Sequence, residues 1–249
     1  MSAIGGIIAK NGMAPSVQAI TSLAEAMTSG GPDGCKWVVR NNVAIIFREF
    51  RTTPESNGSR QPYAGSGDVI AAWDGRLDNR EEILAATGEA AGSADVELIA
   101  AVYNRWGAEC ATHLTGDFAF SVWDGGKRSL MLARDAIGAR SAYYAVTDEL
   151  VIWASEIRAL LNFPGIDAEI DDEYMAGYII IESDPGRSPF KSIKPIPPGT
   201  TVIITDTNIA VRRHWSLDAR QALRYSSDAE YEAHFRELFF QAEIGRAHV

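Results

Sequence analysis

Phe118-Ala119-Phe120-Ser121-Val122-Trp123, then Asp124-Gly125-Gly126-Lys127, then Ser129-Leu130-Met131-Leu132-Ala133 read as strand, tight turn and strand. Two apolar runs joined by so short a turn pair antiparallel, because a parallel return needs a crossover of about a dozen residues or more. The pattern repeats in Ala142-Tyr143-Tyr144-Ala145-Val146 and Leu150-Val151-Ile152-Trp153, joined by Thr147-Asp148-Glu149. Upstream, Trp37-Val38-Val39, Val43-Ala44-Ile45-Ile46-Phe47 and Val69-Ile70-Ala71-Ala72-Trp73 read as strands between Asn-, Gly- and Pro-rich turns. Helical patterns run from Val17 to Met27, Arg80 to Ala86, Asp95 to Trp106 and Ser155 to Leu161. Hairpins with helices inserted in blocks predict an α+β fold of antiparallel sheets, not a doubly wound parallel sheet.

The chain opens Met1-Ser2-Ala3-Ile4-Gly5-Gly6-Ile7. A small residue after Met1, a Gly pair and an apolar run predict a buried strand that begins at the mature amino terminus. A nucleophile on the first residue can use its own α-amine as base, and Ser2 is the candidate for that place.

At 249 residues there is ample material for a core, in one large domain or two modest ones. With 46% apolar and 22% charged residues the composition is that of a globular protein. A net charge of −10 argues against nucleic acid or an anionic membrane surface as principal partner. Cys35 and Cys110 are the only cysteines, without CxxC spacing, which points to a reducing compartment rather than a disulfide scaffold. Ile4 to Ile8 is too short and lacks the basic flank of a secretory leader, and no apolar run is long enough to span a bilayer. The expectation is a cytoplasmic protein.

Towards the carboxyl end, Lys194-Pro195-Ile196-Pro197-Pro198-Gly199 breaks the strand pattern before one more hairpin, Thr201-Val202-Ile203-Ile204 with Ile209-Ala210-Val211. Residues 216–227 are polar and read as a linker. A new helix begins at Asp228, with Tyr231, Phe235, Leu238 and Ala242 on one face. Such a stripe needs a partner layer, and none follows. Residues 243–249 abandon the periodicity and read as a non-native tail, so the expectation is an incomplete reading frame.

Gly116-Asp117-Phe118-Ala119-Phe120 through Trp123-Asp124, Leu132-Ala133-Arg134-Asp135 with Gly138, Tyr143-Tyr144, Trp153-Ala154-Ser155-Glu156-Ile157 and Pro197-Pro198-Gly199 occur in that order. As a set they resemble the asparagine-synthetase family, in its amino-terminal class II glutamine-amidotransferase domain, over residues 1–215. The resemblance implies a four-layer αββα sandwich of antiparallel sheets, the amino-terminal-nucleophile fold. It also implies glutamine hydrolysis there, with ammonia passed to a carboxyl-terminal ATP-dependent ligase domain. Residues 228–242 would then be that domain's first helix. ATP and Mg2+ would be its cofactors, and none belongs to residues 1–249.

The site positions depart from that pattern. Where the family has Cys, this chain has Ser2, whose hydroxyl is far less nucleophilic than a thiol that is partly thiolate. An α-amine with a pKa of about 8 could still activate it. Where the family has Asn-Gly-Glu, this chain has Asp74-Gly75-Arg76. An Asn amide donates to a tetrahedral oxyanion, which a carboxylate at Asp74 repels; Gly75 keeps the other oxyanion-hole position. Arg76 repels the substrate ammonium that Glu would hold. Glu49 falls where an Arg would clamp the substrate carboxylate, with Arg48 and Arg51 beside it, and Asp95 keeps the place of the second ammonium-binding acid. Each close charge contact is worth up to about 4 kcal/mol at an effective dielectric of 20. Reversing one or two of them makes free glutamine a poor ligand.

Thr52-Thr53-Pro54-Glu55-Ser56, Gln61-Pro62 and Asp74-Gly75-Arg76-Leu77-Asp78-Asn79-Arg80-Glu81 resemble the lasso-peptide cyclases, asparagine-synthetase relatives that close a macrolactam; β-lactam synthetases similarly lack the Cys. This implies adenylation of a carboxylate on a peptide or small molecule, attack by an amine already in the substrate, and association with a precursor peptide and leader-processing proteins. Two alternatives stand beside it. One is a surviving hydrolase, either a glutamine-hydrolysing asparagine synthetase or an amidohydrolase using Ser2. The other is a non-catalytic peptide-binding scaffold.

Ser29-Gly30-Gly31-Pro32-Asp33 mimics a pyrophosphate loop but follows a helix instead of opening one, and reads as a turn. His113, His214, His234 and His248 have no metal-ligand spacing, so no metal site is expected. Asp171-Asp172-Glu173 reads as a capped helix start, Trp73, Trp123 and Trp153 as core, and Asp135 as a buried structural partner of Arg134 or backbone amides.

Overall fold

The computed structural model describes residues 2–51, 60–65, 67–220 and 222–247. Its first strand, β1 (Ala3–Ala9), is buried at every position because it lies inside a sheet covered on both faces. There follow α1 (Val17–Ala26), β2 (Gly34–Arg40), β3 (Val43–Glu49), β4 (Tyr63–Ala64), β5 (Val69–Leu77), α2 (Arg80–Thr87) and α3 (Asp95–Trp106). Next come β6 (Gly116–Asp124), β7 (Ser129–Arg134), β8 (Tyr143–Val146), β9 (Leu150–Ala154), α4 (Ile157–Leu161) and α5 (Asp172–Ile179). The chain ends with β10 (Ile193–Pro195), β11 (Thr200–Thr205), β12 (Ile209–Arg213) and α6 (Asp228–Ala247).

Among the described residues these strands form two sheets, ordered β10-β8-β9-β1-β3-β2 and β12-β11-β7-β6-β5-β4, with every pairing antiparallel. Three apolar layers separate four structural ones. Ile4, Ile45, Phe47, Ile70, Leu132 and Trp153 fill the space between the sheets. Ile20, Leu23, Met27 and Leu160 cover the outer face of the first sheet from α1 and α4. Ile83, Leu98, Ile99 and Val102 do the same for the second sheet from α2 and α3. This is the expected αββα sandwich. Gly6 lets the first sheet close on itself: a Cβ there would lie 2.2 Å from the Trp153 ring and 2.5 Å from the Ala44 carbonyl oxygen.

Two local readings are revised. The helix expected from Ser155 begins at Ile157, because Ser155 is still held to β1. Its amide donates to the Ile4 carbonyl, and its Oγ accepts from the Ile4 amide at 3.0 Å. The Pro-rich segment does not break the sheet: Ile193–Pro195 adds an edge strand to β8, where a proline costs no ladder bond. A 3-10 helix, Gly107–His113, and the short β4 carried no sequence signal. Asp171 caps α5 as expected, its side chain accepting from the Tyr174 amide. The described residues from 214 to 227 carry neither helix nor strand, and α6 continues to Ala247, past the end of its apolar periodicity. Tyr231, Phe235, Leu238, Phe239 and Phe240 on it are exposed.

Candidate active site

Side chains two residues apart on a strand share a face, and this brings the polar candidates together. Ile4 on β1, Phe47 on β3, Ala72 on β5 and Ala119 on β6 all belong to the layer between the sheets. Continuing each alternation past the apolar residues places Ser2, Glu49, Asp74, Arg76 and Asp117 on that same side. The end of the inter-sheet layer is therefore polar.

A cavity of about 230 Å³ opens there, lined by Ser2, Ser29, Asp74, Ser141, Ser155 and Glu156 among others. The Ser2 hydroxyl accepts a hydrogen bond from the Phe50 amide at 3.2 Å. Asp74 is only 6% exposed. Burial pushes its carboxyl up to about 6, against the opposing charge of Arg140 and hydrogen bonding from the Ser2 backbone N–H. The opposite wall is already satisfied: Ser29 Oγ donates to both Glu156 oxygens at 2.7 and 2.8 Å, and Arg158 Nε donates to Glu156 at 2.7 Å. Gly30 keeps this wall close, since a Cβ would lie 3.0 Å from both Ala3 Cβ and Glu156 Oε1.

The other candidates are tied up elsewhere. Glu49 is buried, accepts from Arg51 Nη2 at 2.9 Å, lies 3.9 Å from Lys36 Nζ and does not line the cavity. Arg51 is thereby engaged, and Arg48 is on the opposite face of β3, donating from Nε to the Gly31 carbonyl at 2.8 Å. Arg76 donates from Nε to Asp78 at 2.6 Å and lies 3.8 Å from Asp117. Gly75 is required by packing, because a Cβ would fall 2.5 Å from the Asp117 carbonyl oxygen and 2.8 Å from Phe118 Cα. Asp95, at the start of α3, is ion-paired with Arg80 and also lies outside the cavity lining. Its carboxyl is raised by burial, with Arg80 opposing. The fold thus joins Ser2 to Asp74 and leaves Glu49, Arg76 and Asp95 in separate ion pairs.

Ser29-Gly30-Gly31-Pro32-Asp33 is the turn expected, with the Gly30 amide bonded to Met27 and the Gly31 amide to Thr28. Sequence reasoning missed that it walls the cavity with Glu156, which had registered only as a fold marker. It also missed Arg140. Asp135, fully buried, accepts the amides of Phe118, Ile137, Ala139 and Arg140 at 3.0 to 3.2 Å. Arg134 donates to the carbonyls of Gly138, Arg140 and Ile196. Residue 140 is held from both sides, and its buried Nε has no hydrogen-bond partner among the described residues.

Among the described residues no group of His, Cys, Asp and Glu could hold a metal ion, and no helix is long and apolar enough to cross a membrane. Both cysteines are free; burial pushes the Cys110 thiol up to about 12. His113 stacks on Trp106 and His214 contacts Thr201, while His248 lies outside the described residues. The Thr52–Ser56 motif also lies outside them.

The family model described as "Glutamine amidotransferase domain" matches residues 1–215. Asparagine synthetase [glutamine-hydrolyzing] 3 of Bacillus subtilis (strain 168) is 28% identical over 236 residues, which is 90% of this chain and 38% of that protein. Amidase chyE of Penicillium rubens is 29% identical over 187 residues, 71% of this chain and 27% of that one. The chain therefore spans well under half the length of these curated relatives. In fold it is similar to the glutamine phosphoribosylpyrophosphate amidotransferase of B. subtilis, solved with ADP and GMP. That likeness has a TM-score of 0.59 at 17% identity and covers 86% of this chain and 49% of that one. Family match and layer order agree, and the chain belongs to the glutamine amidotransferase domain family, as an asparagine-synthetase-type class II domain on the amino-terminal-nucleophile fold.

Proposed function

We propose that this chain is the amidotransferase-like part of an ATP-dependent, amide-forming ligase in which glutamine hydrolysis has been lost. One observation carries the reading: the cavity joins a serine hydroxyl at the nucleophile position to a buried carboxylate where an oxyanion would need a donor. The charge requirements also conflict. Ser2 needs a neutral α-amine, with a pKa of about 8, while an oxyanion tolerates Asp74 only when it is protonated, below about 6. The two conditions oppose each other at neutral pH, where the amine is mostly protonated and Asp74 mostly ionised.

The parent enzyme would then need no ammonia. It would adenylate a carboxylate of a peptide or small molecule, using ATP and Mg2+ held by ligase residues outside this chain, and an amine within the substrate would close the amide. Macrolactam closure on a precursor peptide, with leader-processing proteins as partners, is the reading supported by the Gln61-Pro62 and Asp74 to Glu81 segments. Those residues build the end of β5: the Gln61 amide bonds both the N–H and the carbonyl of Trp73, and Arg76 is fixed by Asp78. The two free thiols fit a cytoplasmic setting. The test is ammonia release from glutamine by the chain and by Ser2→Ala, which should be equal and at background. Release by the wild type that Ser2→Ala abolishes overturns the reading.

A second reading, a serine amidohydrolase, is favoured by the raised carboxyl of Asp74, which as a neutral acid could donate to an oxyanion beside the Gly75 amide. It requires an amidase rate with a narrow maximum near pH 7, falling on both sides. A flat profile excludes it.

A further inference from the structure

We propose that removal of Met1 leaves Ser2 with an α-ammonium group ion-paired to buried Asp74, and that this pair keeps the amine protonated and so abolishes the base that an amino-terminal nucleophile needs. The inference rests on the reading of the glutaminase site as lost and supplies a physical cause for the loss beyond the change of nucleophile.

Three observations converge. Ser2 and Asp74 line the same cavity, and the Ser2 backbone nitrogen is the group that hydrogen-bonds the Asp74 carboxylate. That nitrogen becomes the α-amine when the preceding peptide bond is cut. Asp74 is 6% exposed and has no ion-pair partner among the described residues, an unusual condition for a buried acid. Two positive charges act on it through space, Arg140 and the amino-terminal ammonium of the unprocessed chain, and neither is paired with it in the described residues. Arg140 acts on it from a distance, its backbone fixed by Arg134 and Asp135, and Glu156 across the cavity is already neutralised by Arg158. The site therefore sets a buried carboxylate, on which Arg140 and the amino terminus act only as opposing charges, in hydrogen bonding with the one backbone nitrogen that processing can convert into a cation.

The chemistry is a hydrolysis by a methionine aminopeptidase. Water adds to the Met1 carbonyl, the bond to the Ser2 nitrogen breaks, methionine leaves as the free amino acid, and the nitrogen takes up the proton. An opposite charge within about 4–6 Å shifts a pKa by roughly 1–3 units in favour of the charged form. The amine should rise above its usual value and Asp74 should fall below about 6.

Intact mass of the purified 249-residue chain should show loss of one methionine; retention of Met1 overturns the proposal. The pH dependence of amino-terminal acylation, followed by peptide mass spectrometry, should then give an apparent pKa at least tenfold higher in proton affinity for the wild type than for Asp74→Asn. Asp74→Asn is nearly isosteric, and circular dichroism with Asp74→Ser as a second variant checks that both are folded. Equal acylation profiles in folded wild type and variants overturn the ion pair. Glutamine hydrolysis is scored separately. Ammonia release by a chain whose amine pKa is raised would sink the lost-glutaminase reading while leaving the ion pair standing. An unshifted amine in an inactive chain does the reverse.

Discussion

Asp135 shows how much one side chain can organise. It is fully buried and collects four backbone amides, while Arg134 beside it takes three carbonyls, so the loop leading to Arg140 is fixed without any secondary structure. Leaving a buried amide without an acceptor costs about 1–3 kcal/mol. Asp135→Ala should therefore lower stability by roughly 3–5 kcal/mol, read from urea unfolding, with Asp135→Asn milder. Asp74 gives a pH-dependent case. Burial raises it from 3.8 to about 6, so between those values the folded chain holds a proton that the unfolded chain does not, and stability falls as pH rises through that window. In a form extended at the amino terminus by a tag, Asp74→Asn should be more stable than its parent by up to about 3 kcal/mol at pH 7 and equal to it at pH 4. A gain that is the same at both values would contradict this assignment. At this scale the sequence named both Ser2 and Asp74 as departures from the motif it resembles, and the fold places the two in one cavity. Glu156, Ser29 and Arg140 were not legible as parts of the site. Ser29 and Glu156 are 127 residues apart, and nothing local in either segment signals the other.

Elements were read more fully, because alternation and turn chemistry are local. The hairpin β6–β7 and helix α3 lie where the pattern placed them. Misreadings arose where long-range pairing overrode local preference: Ser155 stays extended against Ile4, and Ile193–Pro195 joins β8 despite its proline. β1 offers the sharpest test. Gly6→Ala places a methyl 2.2 Å from the Trp153 ring and 2.5 Å from the Ala44 carbonyl. Neither a central strand nor a buried indole can yield, so a loss of about 3 kcal/mol or more is expected by thermal or denaturant melting. Gly12, where a Cβ would meet nothing within 4 Å but φ is +79°, should lose much less on the same change.

At the scale of the molecule, hairpins and helical blocks predicted antiparallel α+β packing, the four layers were implied by the family resemblance, and the assignment of strands to sheets needed the structure. α6 stands outside those layers with Phe235 68% and Leu238 49% exposed. Phe235→Glu with Leu238→Lys should leave the melting temperature within about a degree or two, since neither residue packs in the core. The same pair should reduce concentration-dependent association in sedimentation velocity; unchanged association would place the sticky surface elsewhere. The position of β1 has a further consequence. Its neighbours are residues 43–49 on one side and 150–154 on the other, so β1 waits for the synthesis of about a hundred further residues after its first partner before its second is available. Until residues 150–154 have emerged, a wholly apolar heptapeptide has only half its berth, and nascent-chain capture by chaperones should persist to that length and then fall away.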